Sequence, residues 1–447
     1  MNTINILDFG SIPNSGNLCT KEIQDALDVA SQKNGATVII PTGEFITGTL
    51  NLGSASLYLE KGAVLKGSKN IQDYVFNGFE HNEMGKTLSL LYTIHNNDIL
   101  ISGEGTIDLN GDSFYYMDKP SIPQSLIPLT EKQKDECPRL YDNRPNQPIF
   151  FYNCQRVSVK DIKIINAPCW TMSFIECEDI HVHGVTIDNN LCIPNNDGIH
   201  FCSCKKVFVC DCNISSGDDC IALSSITDWN KPCEDVIISD CILRSSSKAI
   251  VIGYMHSIIR NVCISNCIIK ESNRALCIMA SSHTGLVENV QVSNLRLDTC
   301  IRAGGWWGNG EAICIIGTPH NNPSYEHNTP DRDFNINVKS IFFQNIICTT
   351  ENVLAIVGEN DNICDVHING LIVKLKDSEN LMIKGRMVDL SPSKQTAYLP
   401  DDDPCWLYIQ DVRYITVDNA FIFQFHGKHP KFSQTNCKNI QINAMNL

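Results

Sequence analysis

Two short stretches concentrate carboxylates: Pro194-Asn195-Asn196-Asp197-Gly198-Ile199 and Ser216-Gly217-Asp218-Asp219-Cys220-Ile221-Ala222-Leu223, with Asp218 standing 21 residues after Asp197. Three acids held close together cannot all ionise freely, because mutual repulsion raises at least one pKa. A protonated acid beside ionised bases is the equipment for splitting a glycosidic bond, with the acid on the leaving oxygen and a base on water. Two other readings fit the same residues. Asn-Asp-Gly and Gly-Asp-Asp are ordinary turn sequences, and clustered carboxylates also suit calcium. What decides is whether the chain brings Asp197, Asp218 and Asp219 to one place.

A repeat supplies the means. The pattern apolar-x-apolar begins at Val157, Ile180, Val207, Val236, Val262 and Val290, with successive starts 23, 27, 29, 26 and 28 residues apart. Further copies begin at Ile99, Ile341, Val366, Ile415 and Ile440. Asp161, Gly184, Asp211, Asp240, Asn266, Asn294, Asn345, Gly370 and Asn419 each follow a start by 4 residues, a polar or glycine position suited to a recurring bend. Short strands at this period, without helices between them, indicate a solenoid. The leucine/asparagine signature of leucine-rich repeats is absent. The expected fold is therefore all-β, a single-stranded right-handed parallel β-helix. Each coil stacks on the last at about 4.8 Å, so 21 residues carry Asp197 and the Asp218-Asp219 pair to neighbouring rungs of one face.

One amphipathic helix is expected. Thr20 reads as its N-cap, Ile23, Ala26, Leu27 and Ala30 form its apolar face, and Asn34-Gly35 ends it. It would cap the open N-terminal end of the solenoid, where bare strand edges are a liability. The whole chain, 1–447, reads as one domain, with cap and first coils over 1–97 and the main coils over 98–447. Insertions interrupt the repeat near 115–146, 298–335 and 374–410.

Composition narrows the partners. Hydrophobic residues are 43% and charged residues 19%, values of a globular chain. A net charge of −15 disfavours nucleic acid and anionic membranes. No uncharged apolar run is long enough to span a membrane. The start, Met1-Asn2-Thr3-Ile4-Asn5-Ile6-Leu7-Asp8, lacks a basic region followed by a long apolar core, so a cytoplasmic location is expected. The 22 cysteines then read as reduced thiols. Cys202/Cys204 and Cys210/Cys212 are spaced to share one strand face as small hydrophobes, tighter than usual zinc spacing. No metal or cofactor is expected.

The acidic stretches, Asn195-Asn196-Asp197-Gly198-Ile199 and Ser216-Gly217-Asp218-Asp219-Cys220-Ile221-Ala222, resemble family 28 of the glycoside hydrolases, the polygalacturonases and their relatives. The likeness runs from Asp8-Phe9-Gly10 to beyond residue 290, through Pro41-Thr42-Gly43, Leu59-Glu60-Lys61-Gly62-Ala63, Gly103-Glu104-Gly105-Thr106-Ile107-Asp108, Arg144-Pro145 and Ala167-Pro168-Cys169-Trp170. It implies the right-handed β-helix and inverting hydrolysis, with Asp218 as general acid and Asp197 and Asp219 orienting and deprotonating water. Asn195 falls in the same motif and is expected at the substrate.

The chain also departs from that family. Where polygalacturonases have Gly-His-Gly one coil later, this sequence has Ser247-Lys248-Ala249; Lys248 would hold neighbouring carboxylates ionised. Where they have Arg-Ile-Lys, whose cations grip a uronate, it has Cys277-Ile278-Met279. Ser224 stands where a lysine usually follows the Asp-Asp segment. Holding a carboxylate without cations is costly, which points to a neutral sugar or to a uronate held by other groups, Arg274 being the nearest candidate.

Outside these motifs, Gly304-Gly305-Trp306-Trp307-Gly308-Asn309-Gly310-Glu311 combines aromatic rings with flexible residues. Trp306 and Trp307 can stack on sugar faces and Glu311 can accept hydroxyl hydrogen bonds; the alternative is an aromatic plug between coils. Trp170 reads as scaffold. His200 alternates with Ile199 after the first motif and is placed near the site, whereas His256 and His320 read as structural. The reading is an exo-acting glycosidase for plant-type, pectin-related oligosaccharides, with a polygalacturonase proper, a non-catalytic carbohydrate-binding β-helix and a polysaccharide lyase as alternatives.

Overall fold

The repeat starts become one stack. In the computed structural model, parallel pairing runs Ile99↔Val157↔Ile180↔Val207↔Val236↔Val262↔Val290↔Ile341↔Val366↔Ile415↔Ile440 without a break. The structure describes residues 3–33, 36–123, 128–320, 329–393, 395–399 and 404–447. The chain winds as a right-handed parallel β-helix. Each coil gives strands to a 22-stranded sheet and one strand to a 12-stranded sheet whose members follow strict chain order, from Leu50–Asn51 to Lys431–Thr435.

The bend positions explain their residue types. Asp161, Asp211, Asp240, Asn266, Asn294, Asn345 and Asn419 all have φ between 53° and 56°, and Gly184 and Gly370 have φ of 63° and 73°. Only glycine and short polar side chains visit this left-handed region cheaply. The amides also join coil to coil: Asn266 donates to Asp240 at 3.2 Å, Asn294 to Asn266 at 3.1 Å and Asn345 to Asn294 at 3.2 Å.

Inside the coils, like side chains stack because equivalent residues lie one rung apart. Phe151, Phe174 and Phe201 form a column with centroid spacings of 4.7 and 5.2 Å. Cys154, Cys177 and Cys204 form another, each buried. The cysteines therefore stack between coils and not along a strand: Cys204 enters the central core, while Cys202, two residues earlier, faces a separate cluster with Trp170 and Ile226.

The helix spans Thr20–Gln32 and buries Ile23, Ala26, Leu27 and Ala30. Its N-cap is Cys19, not Thr20; Thr20 Oγ1 instead accepts from Gly48 N at 2.7 Å. The expected stop at Asn34-Gly35 lies outside the described residues. Ser31 Oγ donates to Leu52 O at 3.1 Å and Gln24 to Asn51 O at 3.0 Å, fastening the helix over the first coils. Among the described residues no helix is long and apolar enough to cross a membrane.

The longer gaps in the repeat are enlarged coils, since Val290 pairs directly with Ile341 and Val366 with Ile415. The segment near 115–146 holds a hairpin, Tyr115–Pro120 with Arg139–Tyr141, and a short helix Glu131–Glu136 closed by a Thr130/Gln133 capping box. The segment near 374–410 holds Leu381–Lys384 and the hairpin Met387–Asp389 with Thr396–Tyr398. Asn380 Nδ2 ties the insertions together, donating to Glu136 Oε2 at 2.9 Å and to Ile301 O at 2.8 Å.

Candidate active site

The two acidic turns are held against each other by their own small and polar residues. Asn196 is fully buried; its Oδ1 accepts from Gly217 N at 2.5 Å and its Nδ2 donates to Asn190 O at 2.9 Å. A Cβ at Gly217 would stand 2.2 Å from Ile193 O, and one at Gly198 would stand 2.4 Å from Cys220 O. The glycines thus permit the close approach that Asn196 locks. Gly198 N then donates to Asp219 O at 2.8 Å, setting Asp197 and Asp219 on adjacent rungs.

Each of these aspartates stands two residues before a strand of the 12-stranded sheet. Ile199 pairs with Ile221, Ile221 with Ile250, Ile250 with Leu276 and Leu276 with Ile313. Two residues back, the same register forms the row Asp197, Asp219, Lys248, Arg274, Glu311 across five consecutive coils. Signs along it alternate in pairs, as buried charges require. Lys248 Nζ lies 3.1 Å from Asp219 Oδ1, and Arg274 lies 3.1 Å from Glu311 Oε2.

This row splits into a functional half and a structural half. Asp197, Asp218, Asp219 and Lys248 line a cavity of about 400 Å³ together with Asn195, His200, Ser224, Trp306 and Trp307. Arg274 and Glu311 do not line it. Both are completely buried, and Glu311 also accepts from Asn309 N at 2.7 Å and Asp389 N at 3.0 Å. The placement of Arg274 and Glu311 at the substrate is thereby corrected: their charges are spent on each other one coil beyond the cavity. Trp170 moves the other way. It lines the cavity, its ring 4.0 Å from that of His200, and is not simply scaffold. His320 also lines the cavity, whereas His256 is buried outside it with Nδ1 2.5 Å from Thr284 Oγ1.

The cavity is electrostatically crowded. Burial, with Asp218 and Asp219 beside it, pushes the Asp197 carboxyl well above the usual range, and Asp197 Oδ1 has no hydrogen-bond partner among the described residues. Burial raises Asp219 to about 7, with Lys248 opposing and Asp218 adding to the rise. For Lys248 burial pulls the pKa down, but Asp219 and Asp218 outweigh it and the net shift is upward. Lys248 is thus a fixed positive charge, its ammonium also 4.5 Å above the Trp307 ring. His200 is the opposite case: burial lowers it to about 3, so the imidazole is neutral where Nδ1 lies 3.6 Å from Asp197 Oδ2, while Nε2 is 2.8 Å from Ser224 Oγ.

Supports come from outside the repeat. Arg144 donates to Pro168 O, Pro194 O and, at 3.0 Å, Asn195 Oδ1, fixing Asn195 at φ 57°. Trp306 Nε1 donates to Glu136 O at 2.7 Å, so this ring is anchored to the 115–146 insertion. Glu83 and Tyr254 are cavity residues that sequence reasoning passed over; both lie off the repeat's regular positions. Among the described residues, the group with ligand atoms close enough for a metal, His183, Cys210 and Asp211 within 4.8 Å, does not line the cavity.

A model of glycosyl hydrolases family 28 matches residues 30–385. The chain belongs to that family. This family 28 protein is 27% identical over 263 residues to a probable polygalacturonase of Vitis vinifera, covering 55% of this chain and 50% of that one. It is 25% identical over 233 residues to an exopolygalacturonase of Zea mays, covering 49% and 48%. The chain spans about half the length of the curated relatives it matches. Its fold is similar to that of a family 28 exopolygalacturonase of Yersinia enterocolitica, with TM-score 0.72 at 18% identity over 98% of this chain and 78% of that one. A hyperthermoactive exopolygalacturonase of Thermotoga maritima gives 0.59 at 19% identity over 99% and 92%.

Proposed function

We propose that this family 28 protein hydrolyses a glycosidic bond at one end of a pectin-related oligosaccharide, with inversion. The observation that carries the reading is the convergence of Asp197, Asp218 and Asp219 from adjacent coils into one walled cavity. Asp218 delivers its proton to the leaving glycosidic oxygen as the bond to the anomeric carbon breaks. Water attacks that carbon from the opposite face and loses its proton to the Asp197/Asp219 pair. Lys248 keeps Asp219 able to ionise near neutrality inside a buried site.

The walls support exo action. Pro138, Trp306, Trp307 and Pro392 line the cavity from three insertions, and Glu83 lines it from a hairpin. A groove closed on these sides admits a chain end more readily than a chain interior. Asp218→Asn tests the assignment: oligosaccharide turnover should vanish while sugar affinity persists. Unchanged turnover would refute it. A binding protein without activity would show affinity and no turnover in the unaltered chain. A lyase would release an ultraviolet-absorbing product, which a hydrolase does not.

A further inference from the structure

The hairpin Phe76–His81/Gly85–Leu88 stands outside the repeat, and its tip is built to be rigid. The N–H groups of Glu83 and Met84 donate to His81 Nδ1 at 3.1 and 3.2 Å. Asn82 Nδ2 donates to Ile226 O at 3.0 Å and Thr227 O at 3.1 Å, across 144 residues of chain. Asn146 Nδ2 reaches Met84 O at 2.8 Å. These bonds aim one carboxylate, Glu83, into the cavity, where Tyr254 donates to its Oε1 at 3.4 Å. That bond is long, so the carboxyl keeps capacity for another partner.

Glu83 raises the number of carboxylates lining the cavity to four. Among the described lining residues Lys248 is the one lysine or arginine, and it is already engaged by Asp219 and Trp307. An anionic sugar ring would enter a site whose surplus charge has its own sign.

We infer that Glu83 is a specificity-determining residue which contacts the terminal sugar through a hydroxyl and disfavours a carboxylate there, so that the cavity selects a neutral terminal sugar over the corresponding uronate. The inference rests on the glycosidase reading of the site. Its pH signature follows from Glu83's surroundings. Burial raises Glu83 to about 7, the Tyr254 hydrogen bond opposing and Asp218 adding. Behind it His81 is held neutral by burial, at about 4, and across the cavity stand His320, Asp197, Asp219, Lys248 and a His200 that burial keeps neutral. Below pH 7 a protonated Glu83 tolerates a uronate; above it the ionised form repels one.

Calorimetric binding of matched pairs, galactose with galacturonate and glucose with glucuronate, tests this in the intact chain. At pH 8 the unaltered protein should bind the neutral member of a pair about tenfold tighter, and less so at pH 5.5. Glu83→Gln, close to isosteric, should bring the ratio toward one and weaken its pH dependence, leaving the part that Asp219 contributes. The pH comparison in the unaltered protein needs no variant. Preference for the uronate at pH 8, a ratio that Glu83→Gln leaves unchanged, or absence of binding by every sugar would each overturn the inference. If the ratio is insensitive to Glu83 while Asp218→Asn abolishes turnover, the specificity role falls and the glycosidase reading stands. If Asp218→Asn turns over normally while Glu83→Gln shifts the ratio, the reverse holds.

Discussion

Lys248 Nζ sits 3.1 Å from Asp219 Oδ1, one coil along the same row, and lies over the Trp307 ring, 4.5 Å from its centroid. A lysine this buried keeps its charge because two aspartates, Asp219 and Asp218, surround it more strongly than burial disfavours it. The pair in turn lets a desolvated Asp219 titrate near 7 instead of remaining protonated.

Lys248→Met should therefore raise Asp219 further. Activity that needs ionised Asp219 falls as pH drops through its pKa, so the acidic limb of the pH–rate profile should move to higher pH. Turnover at pH 7 should fall on the order of a hundredfold. Lys248→Arg should restore part of both, since it keeps the charge but not the shape. An acidic limb that stays in place in Lys248→Met would show that the ammonium does not tune the pair.

Asp197→Asn should stabilise the fold at alkaline pH. The folded pKa of Asp197 lies above the usual carboxylate value, so its contribution is fully favourable only below the unfolded value near 3.8 and is lost as pH rises through the folded one. Asparagine removes that loss. Thermal midpoints of the two proteins should converge at pH 4 and separate in favour of the variant at pH 8, while turnover disappears. Equal midpoints at pH 8 would contradict the raised pKa.

The Arg274–Glu311 pair makes a structural prediction. Glu311→Gln leaves a fully buried guanidinium with Asp389 as its remaining neighbouring carboxylate and should cost up to roughly 3–5 kcal/mol, read as a lowered thermal midpoint. The double variant Arg274→Met/Glu311→Leu should recover much of that loss, because it removes both charges. A double variant no more stable than the single one would locate the cost in Glu311's bonds to Asn309 and Asp389.

The adjacent tryptophans should separate. Trp307 is half-buried over Lys248 in the cavity, so Trp307→Ala should raise KM several-fold, about 1 kcal/mol, with little change in thermal midpoint. Trp306 is 5% exposed and hydrogen-bonded to Glu136 O, so Trp306→Ala should lower stability by about 3–5 kcal/mol. Equal effects of the two would dissolve the distinction.

How far the sequence reached depends on whether a feature is periodic. Eleven repeat starts, from Ile99 to Ile440, pair in one row, and the residues four positions after the nine starts from Val157 to Ile415 adopt the left-handed bend. Both follow from patterns repeated within each coil, because stacking fixes the register wherever one face is buried. Asp197, Asp218 and Asp219 were legible as a cluster for the same reason. Lys248 was legible one coil further on, where it replaces a family residue.

Tertiary structure alone decided which charges reach the cavity and which are used up in the wall. Arg274 and Lys248 occupy the same row and look equivalent in sequence; the 374–410 insertion, through Asp389, covers one and leaves the other open. Glu83 and Trp170 became site residues through packing between segments far apart in the chain, such as Asn82 against Ile226. Those contacts leave no period to read, because each forms once, between residues whose proximity is set only when the coils have stacked.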